Sequence, residues 1–514
     1  MTADGAVGAT MANGPLQGAR RWLSLSAAML GTTVYMLTLT VSGTAIPHMQ
    51  GAFSAAPDQI AWMLTSFIIG TTIITACSGW ISMRFGRKRL YIVATAGFTL
   101  ASILCGLAQT LEEAVLYRTL QGMFGAPLIP LGQAIAIDAF PPNRQGFATV
   151  MWSIGGMMGS ILGPILGAAL VERYGWPWLF FVNVPFGILA LLATIAFVPE
   201  ITIERTRNFS WAGFAALAIA IAGFQLVLNR GERLDWFQSR EIIISAIVGA
   251  IGLYLFILHT MSARVPFLDR SLFRDRNYVL ALIFIFVYGA VCFLQLFLVP
   301  VLLQNLAGYD IEGVATLLMW RGAGLVSGMI LIGPVTDRID PRFILVFGFA
   351  CLIVSAWGMS GSSLDLRAFD VAWTNFVQGM GSGIAYVPIV MFGFSTLPLR
   401  LRTEGMAFFY VVSNLGTASG TAAIFSFLSR STRINHDLMT EYMTPFNETI
   451  RLGLVPRLWD WTHRSGLAAM DAEIARQAAI IGYNNSFFLI ALLALLVMPL
   501  GLLIRMPRRG RSPA

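Results

Sequence analysis

Apolar runs of about twenty residues recur along almost the whole chain, separated by short polar breaks. They lie at 23–46, 59–81, 90–109, 113–137, 147–170, 179–198, 210–229, 241–260, 278–302, 313–334, 343–361, 371–395, 405–429 and 483–505, fourteen in all. Each is long enough to cross the ~30 Å hydrocarbon core of a bilayer as a helix. The pattern predicts an all-α polytopic membrane protein with 14 transmembrane helices. An even number puts both termini on one side. Residues 1–20 are polar and small and the first apolar run is itself of spanning length, so no cleavable leader is expected. One break is unusual: residues 430–482 are long and polar, with a helical pattern from Asp471 to Ile481. A connection of this length is commonly functional or disordered.

Composition agrees with the patterning. The 514 residues are 56% hydrophobic and 12% charged, with a mean hydropathy of +0.72, against about 25% charged residues in a soluble chain. The net charge of +8 could suggest nucleic acid as a partner, but the basic residues follow membrane topology instead. One set of breaks and tails holds Arg20, Arg21, Arg84, Arg87, Lys88, Arg89, Arg144, Arg205, Arg207, Arg264 and further arginines through Arg511. The opposite set of short breaks holds only Arg173, Arg230, Arg233, Arg240 and Arg367. By the positive-inside rule both termini are expected in the cytoplasm. The four cysteines, Cys77, Cys105, Cys292 and Cys351, all fall inside apolar runs and imply neither disulfide nor metal framework.

Some residues inside the spans are costly enough to carry function. Arg118, in Arg118-Thr-Leu-Gln121-Gly122, puts a charge where insertion scales assign it roughly 2.5–3.5 kcal/mol. Arg321 is the second such case, about 12 Å from its span's outer end at ~1.5 Å per residue, which is deep for snorkelling to the interface. Both are expected to face a central cavity. Gly155, Gly159, Gly163 and Gly167 recur every four residues, so they share one helix face, with Pro164 permitting a bend. That face is either a hinge or a static packing surface. Gln121, Asn375, Gln378, Tyr410 and Asn414 complete the candidate translocation pathway. Gln133, Gln225, Gln295 and Tyr386 are further polar or aromatic positions within spans, each equally readable as an interhelical hydrogen bond.

The two ends of the chain echo each other. Gln121-Gly122-Met123 returns as Gln378-Gly379-Met380, aligning Arg118 with Asn375. Arg144-Gln-Gly146-Phe-Ala148 returns as Thr403-Glu-Gly405-Met-Ala407, and Gly79 to Arg89 is echoed by Gly333 to Arg342. Three echoes in one order imply two six-helix bundles with two helices inserted between them. The expected organisation is a tail at 1–22, a first bundle at 23–198, the insert with its flanks at 199–277, a second bundle at 278–505 including loop 430–482, and a basic tail at 506–514. Paired bundles with a site at their interface are the architecture of alternating-access transporters.

Together these motifs resemble the major facilitator superfamily, in its fourteen-helix drug/proton antiporter branch of the EmrB/QacA type, from about residue 30 to 505. The carriers are Gly79…Gly86-Arg87-Lys88-Arg89, Arg118…Gln121-Gly122, Gly159…Gly163-Pro164…Gly167, Trp176…Trp178…Phe181…Asn183-Val-Pro185, Pro266…Leu268-Asp269…Leu272-Phe273…Arg276-Asn277 and Arg321-Gly322. The resemblance implies a major facilitator fold in a bacterial inner membrane, with export of lipophilic compounds in exchange for protons. It also implies a periplasmic adaptor and an outer-membrane channel as partners, with 430–482 as the docking segment; a solvated surface loop is the alternative. In the family, the glycine motif seals the pathway against proton leak and the Gly79–Arg89 segment gates the cytoplasmic side.

The chain departs from that pattern in its acids. Met83 stands where the family's gating loop has an aspartate, so Gly79, Gly86, Arg87 and Lys88 are either a gate or a topology signal. The first span reads Leu37-Thr38-Leu39-Thr40-Val41-Ser42-Gly43-Thr44-Ala45-Ile46-Pro47, with Thr38 and Gly43 replacing the family's aspartate and asparagine. No Asp or Glu falls in the middle of a predicted span. Buried arginines without carboxylates favour weak acids or neutral amphiphiles over permanent cations. Glu113 and Asp138, flanking Arg118, are the proton-coupling candidates; a helix-end acid and a surface charge are their alternatives. A dedicated exporter of one metabolite or siderophore, with other or no proton coupling, is the second functional reading. His48, His259, His436 and His463 are scattered without metal spacing or a nucleophile motif, so neither enzyme, metal nor cofactor is expected.

Overall fold

The computed structural model describes residues 18–44, 46–55, 57–60, 62–141, 144–200, 209–264, 266–334, 339–443, 459 and 463–504. The helices run in order α1 (Ala19–Thr44), α2 (Ile46–Ala52), α3 (Pro57–Ile60), α4 (Trp62–Phe85), α5 (Arg87–Leu107), α6 (Leu111–Gly125), α7 (Leu128–Asp138), α8 (Gln145–Tyr174), α9 (Trp178–Phe181) and α10 (Asn183–Phe197). Then follow α11 (Trp211–Arg230), α12 (Arg240–Ser262), α13 (Arg276–Asn305), α14 (Ile311–Ile332), α15 (Pro341–Met359), α16 (Ala368–Ser395), α17 (Leu399–Tyr442) and α18 (Arg464–Val497). Among the described residues, 13 stretches are helical, long and apolar enough to cross a membrane. The 30-residue α8 stands apart from those 13 and coincides with the predicted span 147–170.

Local chemistry fixes the helix ends. Thr110 accepts from the Glu113 backbone N–H at 3.2 Å and starts α6. Asp275, Asp310 and Asp340 accept backbone N–H bonds of 3.0 Å from Tyr278, Gly313 and Arg342 and start α13, α14 and α15. Such caps satisfy donors that the first helical turn leaves open. Gly86, at φ 93, is the only non-helical residue between α4 and α5. The expected loop from Gly79 to Arg89 is therefore one residue long, with Gly79 buried inside α4. Predicted span 113–137 is two helices, broken at Ala126-Pro127.

Helix pairing defines two bundles of the same plan. In the first, α1 lies along α8, α4 along α6, and α5 against α6 and α10. In the second, α13 lies along α17, α14 along α16, and α15 against α16 and α18. The bundles meet where α17 packs on α4 and where α14 packs on α8. The inserted α11 and α12 pair with each other, and α11 rests on both α4 and α17.

Glycine contacts confirm the repeat residue by residue. A Cβ on Gly122 would collide with the Phe67 carbonyl oxygen, and one on Gly379 with the Arg321 carbonyl oxygen. A Cβ on Gly70 would strike the Thr119 carbonyl oxygen, and one on Gly324 the Phe376 carbonyl oxygen. Phe67 and Arg321 therefore occupy equivalent positions, as do Gln121 and Gln378.

The segment 430–482 is more ordered than a loop. α17 continues to Tyr442 and α18 starts at Arg464, so both helices run beyond the predicted ends of their spans. They pair along this extension: Asn485 donates to Ser431 Oγ at 3.1 Å, and His436 Nε2 lies 3.0 Å from Asp471 Oδ1. Residues 444–458 at its tip lie outside the described residues.

Candidate functional site

Arg118 sits inside the first bundle, not on a cavity face as its depth in the sequence suggested. It is 0% exposed. Its Nε donates to the Met63 carbonyl at 3.2 Å and its Nη1 to Gln121 Oε1 at 2.6 Å, one helical turn along α6. The guanidinium lies 4.3 Å from the Phe67 ring centroid and 5.6 Å from that of Phe180. Gln121 passes the polarity on, donating from Nε2 to Ser102 Oγ at 2.6 Å. Nη2 is buried without a hydrogen-bond partner. Among the described residues no carboxylate neutralises this charge; carbonyl dipoles and ring faces stabilise it.

The second bundle builds a related pair from the opposite helix. Arg321 Nε donates to Gln378 Oε1 at 2.6 Å and Nη2 to the Cys292 carbonyl at 3.3 Å. Gln378 Nε2 donates to the same carbonyl at 3.0 Å. Each repeat thus loads one guanidinium on its equivalent glutamine. In the first half the arginine stands next to that glutamine on α6 and a phenylalanine faces it; in the second, Asn375 replaces Arg118 and the arginine takes the phenylalanine's place on α14. Asn375 is buried and donates to the Val371 carbonyl at 2.9 Å. Unlike Arg118, Arg321 is only partly buried.

Basic-end contacts join the bundles. Val150 of α8 belongs to an apolar cluster with Leu325, Met329 and Ile332 of α14 and Ile384 and Val387 of α16, flanked by Ile154 and Met157. Buried Gln133 of α7 accepts through Oε1 from Tyr410 at 2.6 Å and from Tyr386 at 3.4 Å, and the two tyrosine oxygens are 2.7 Å apart. Tyr288 lies against this group, its ring centroid 5.8 Å from that of Tyr386. Asn414 is partly buried one turn beyond Tyr410 on α17.

At the same end Arg87 forms an ion pair with Asp138, and the field of Arg402 from the second half reaches Asp138. Lys88 donates to the Ile195 carbonyl at 2.8 Å, and Arg89 pairs with Glu200 at 2.8 Å on the surface. Asp138 thus replaces the acid that Met83 lacks as the partner for this basic segment. Glu113 has a different task. Its Oε2 accepts the Gln109 backbone N–H at 2.9 Å, while its own N–H is capped by Thr110 Oγ1, so it helps to tie down the chain entering the far end of α6. Neither acid touches Arg118.

The glycine ladder packs on α1. Cβ atoms on Gly155, Gly159 and Gly163 would collide with Met29, the Thr33 carbonyl and Thr40 respectively. Thr33 Oγ1 donates to the Gly155 carbonyl at 2.6 Å and Thr40 Oγ1 to that of Gly159 at 3.4 Å. Gly167 is buried, and α8 passes unbroken through Pro164, whose side chain lies outside the described residues. The second half repeats the device: Gly416 and Gly420 of α17 sit against Phe286 and Ala290 of α13.

Sequence reasoning missed the residues that surround the guanidiniums, Met63, Phe67, Ser102 and Phe180. The echo of Gly79 in Gly333 carried the signal for Phe67, because the same spacing pairs Phe67 with Arg321. It also missed a tie between the insert and the second bundle. Trp236 Nε1 donates to Ser426 Oγ and to Glu232 Oε2, both at 3.1 Å, and Ser426 donates to Glu232. Burial raises the Glu232 carboxyl, but hydrogen bonds from Ser426, Trp236 and Ser429 and the field of Arg433 outweigh it and hold the group below the ordinary carboxylate range.

Residues 28–421 match the family model described as Major Facilitator Superfamily. The chain is 29% identical over 500 residues to the multidrug export protein EmrB of Escherichia coli strain K12, covering 95% of this chain and 96% of that one. It is 30% identical over 498 residues to EmrB of Haemophilus influenzae, covering 93% and 94%, and 29% identical over 507 residues to the fatty acid resistance protein FarB of Neisseria gonorrhoeae, covering 96% and 98%. Among solved structures, the proton:xylose symporter XylE superposes with a TM-score of 0.62 at 13% identity, covering 94% of this chain and 95% of that one.

Proposed function

The chain belongs to the major facilitator superfamily, and from that premise we propose that it exports lipophilic compounds, weak acids and neutral amphiphiles before cations, in exchange for protons. It is an efflux transporter of the major facilitator type, not an enzyme, and a multi-pass protein of the bacterial inner membrane. The observation that carries the substrate reading is the partly exposed intramembrane guanidinium of Arg321, which has no carboxylate partner among the described residues, together with the absence of any mid-span Asp or Glu among them. A permanent cation needs a buried negative charge to replace its hydration shell; an acid or a neutral amphiphile does not. Relatives named for multidrug export and fatty acid resistance support lipophilic cargo.

The basic segments support a cytoplasmic position for both termini and the Gly86 turn. In that orientation the Val150 cluster and the Gln133–tyrosine group close the cytoplasmic side. Asp138, held between Arg87 and the field of Arg402, is the proton-coupling candidate, since it links charges of both halves. The paired extensions of α17 and α18, with Ile434, Leu438 and Tyr442 exposed at helical spacing, form the docking surface for a periplasmic adaptor that leads to an outer-membrane channel. Flux into proteoliposomes under an imposed pH gradient tests the reading, with a quaternary ammonium dye and a weak-acid uncoupler side by side. The weak acid is expected to move with the gradient; transport of the dye alone would refute the reading.

A further inference from the structure

Both repeats hold a guanidinium on an equivalent glutamine, yet the two charges differ in what they leave free. Arg118 is fully enclosed, with Phe67 and Phe180 over its plane and Gln121 and Met63 on its edge. No ligand reaches it without opening the bundle. Arg321 has no aromatic cover, since it occupies the position of Phe67 itself. Its Nε and Nη2 are engaged by neutral acceptors, it forms no ion pair among the described residues, and it remains partly exposed.

Its place on α14 says what it is exposed to. Leu325 and Met329 follow Arg321 at intervals of one turn on the same helix face. Both lie in the apolar cluster that joins α14 to Val150, Ile154 and Met157 of the first bundle. Arg321 thus stands on that face one turn before Leu325, outside the apolar cluster itself. Toward the basic end stand Tyr288, Tyr386 and Tyr410, tied to the other bundle through Gln133. A fixed positive charge above an aromatic, apolar floor has the chemistry to take an amphiphile with an anionic head.

We infer that Arg321, positioned by Gln378, binds the carboxylate of an anionic amphiphile between the bundles, while Arg118 is a permanently enclosed structural charge. This rests on the reading that the protein exports weak acids, and it narrows that reading to one binding residue. The guanidinium presents its remaining N–H groups to the carboxylate as charge-assisted donors, and no acid has to be displaced first.

The test is equilibrium binding of dodecanoate and, separately, of its methyl ester to the purified protein, with flux of both measured in proteoliposomes. Arg321→Gln is expected to weaken dodecanoate binding about tenfold or more, the scale of losing a charge-assisted hydrogen bond, and to leave the ester unchanged. Arg321→Lys, which keeps the charge, retains most of the affinity. Gln378→Leu weakens dodecanoate selectively by releasing the guanidinium, and serves if Arg321→Gln does not fold. Wild-type transport of dodecanoate together with unchanged affinity in Arg321→Gln would overturn the inference and leave the export reading standing. Equal losses for acid and ester in both variants would also overturn it, because they indicate a packing role. Failure of the wild type to bind or move dodecanoate while exporting a cationic dye would overturn the export reading itself.

Discussion

At Arg118 two donors leave one planar group in fixed directions, one to a carbonyl on α4 and one to a glutamine on its own helix. A lysine supplies a compact point charge and cannot span both acceptors from one plane. Arg118→Lys is therefore expected to lower stability by about 1–3 kcal/mol, the cost of leaving a buried acceptor unpaired, read as a fall in the thermal midpoint in detergent. Glu113 gives a contrasting case. The amide oxygen of a glutamine can accept the same Gln109 N–H, so Glu113→Gln is expected to keep both stability and the response of transport to a pH gradient, whereas Asp138→Asn abolishes that response. Equal loss in both variants would return Glu113 to the coupling pathway. At this scale the sequence was half legible. The cost of a buried charge singled out both arginines, and a helix-end acid was one of the two readings of Glu113. The enclosure of Arg118 was not legible, because it depends on Phe67, Ser102 and Phe180 arriving from three other helices.

Between elements, the glycine ladder turns α1 and α8 into a backbone contact. A side chain on Gly159 meets the Thr33 carbonyl, which cannot rotate away as a side chain would. Gly159→Val is expected to cost about 1–3 kcal/mol through overpacking, checked by thermal unfolding, with Gly51→Ala, which meets open space, as the neutral control. The turn between α11 and α12 carries the pH-sensitive contact. Glu232 is depressed in the folded protein, so its contribution is present above the ordinary value near 4.5 and is lost as the pH falls through the lower folded value. The stability difference between wild type and Glu232→Gln is expected to shrink over that acidic window and to be constant above it. Spans and their order were legible because burial in lipid demands long apolar helices. Of the outer ends, the helical pattern from Asp471 to Ile481 announced part of α18, but its pairing with α17 was not legible, since polar helices that pair with each other carry no hydropathy signal.

For the whole molecule, the repeat legible in Gln121-Gly122 and Gln378-Gly379 became two bundles of the same helix pairing. What no single-chain pattern could give was how the bundles meet, which depends on shape matching between α8 and α14. A Cβ on Gly333 would lie 3.6 Å from Val150 Cγ1 across that interface. Joining Val150→Cys to Gly333→Cys is expected to stop transport, with activity returning on reduction; flux that survives complete cross-linking would show that this seam never opens. The length of α17 then has a mechanical consequence. Its 44 residues make a rod of about 66 Å at ~1.5 Å per residue, roughly twice the ~30 Å hydrocarbon thickness, and α18 braces its outer part. On the proposed alternating-access reading, rocking of the second bundle about a mid-membrane pivot would sweep the outer end of α17 further than the groups at the pivot. The proposed adaptor, gripping that end, would then feel each turnover as an amplified stroke, and the working cycle would reach the outer compartment without a separate signal.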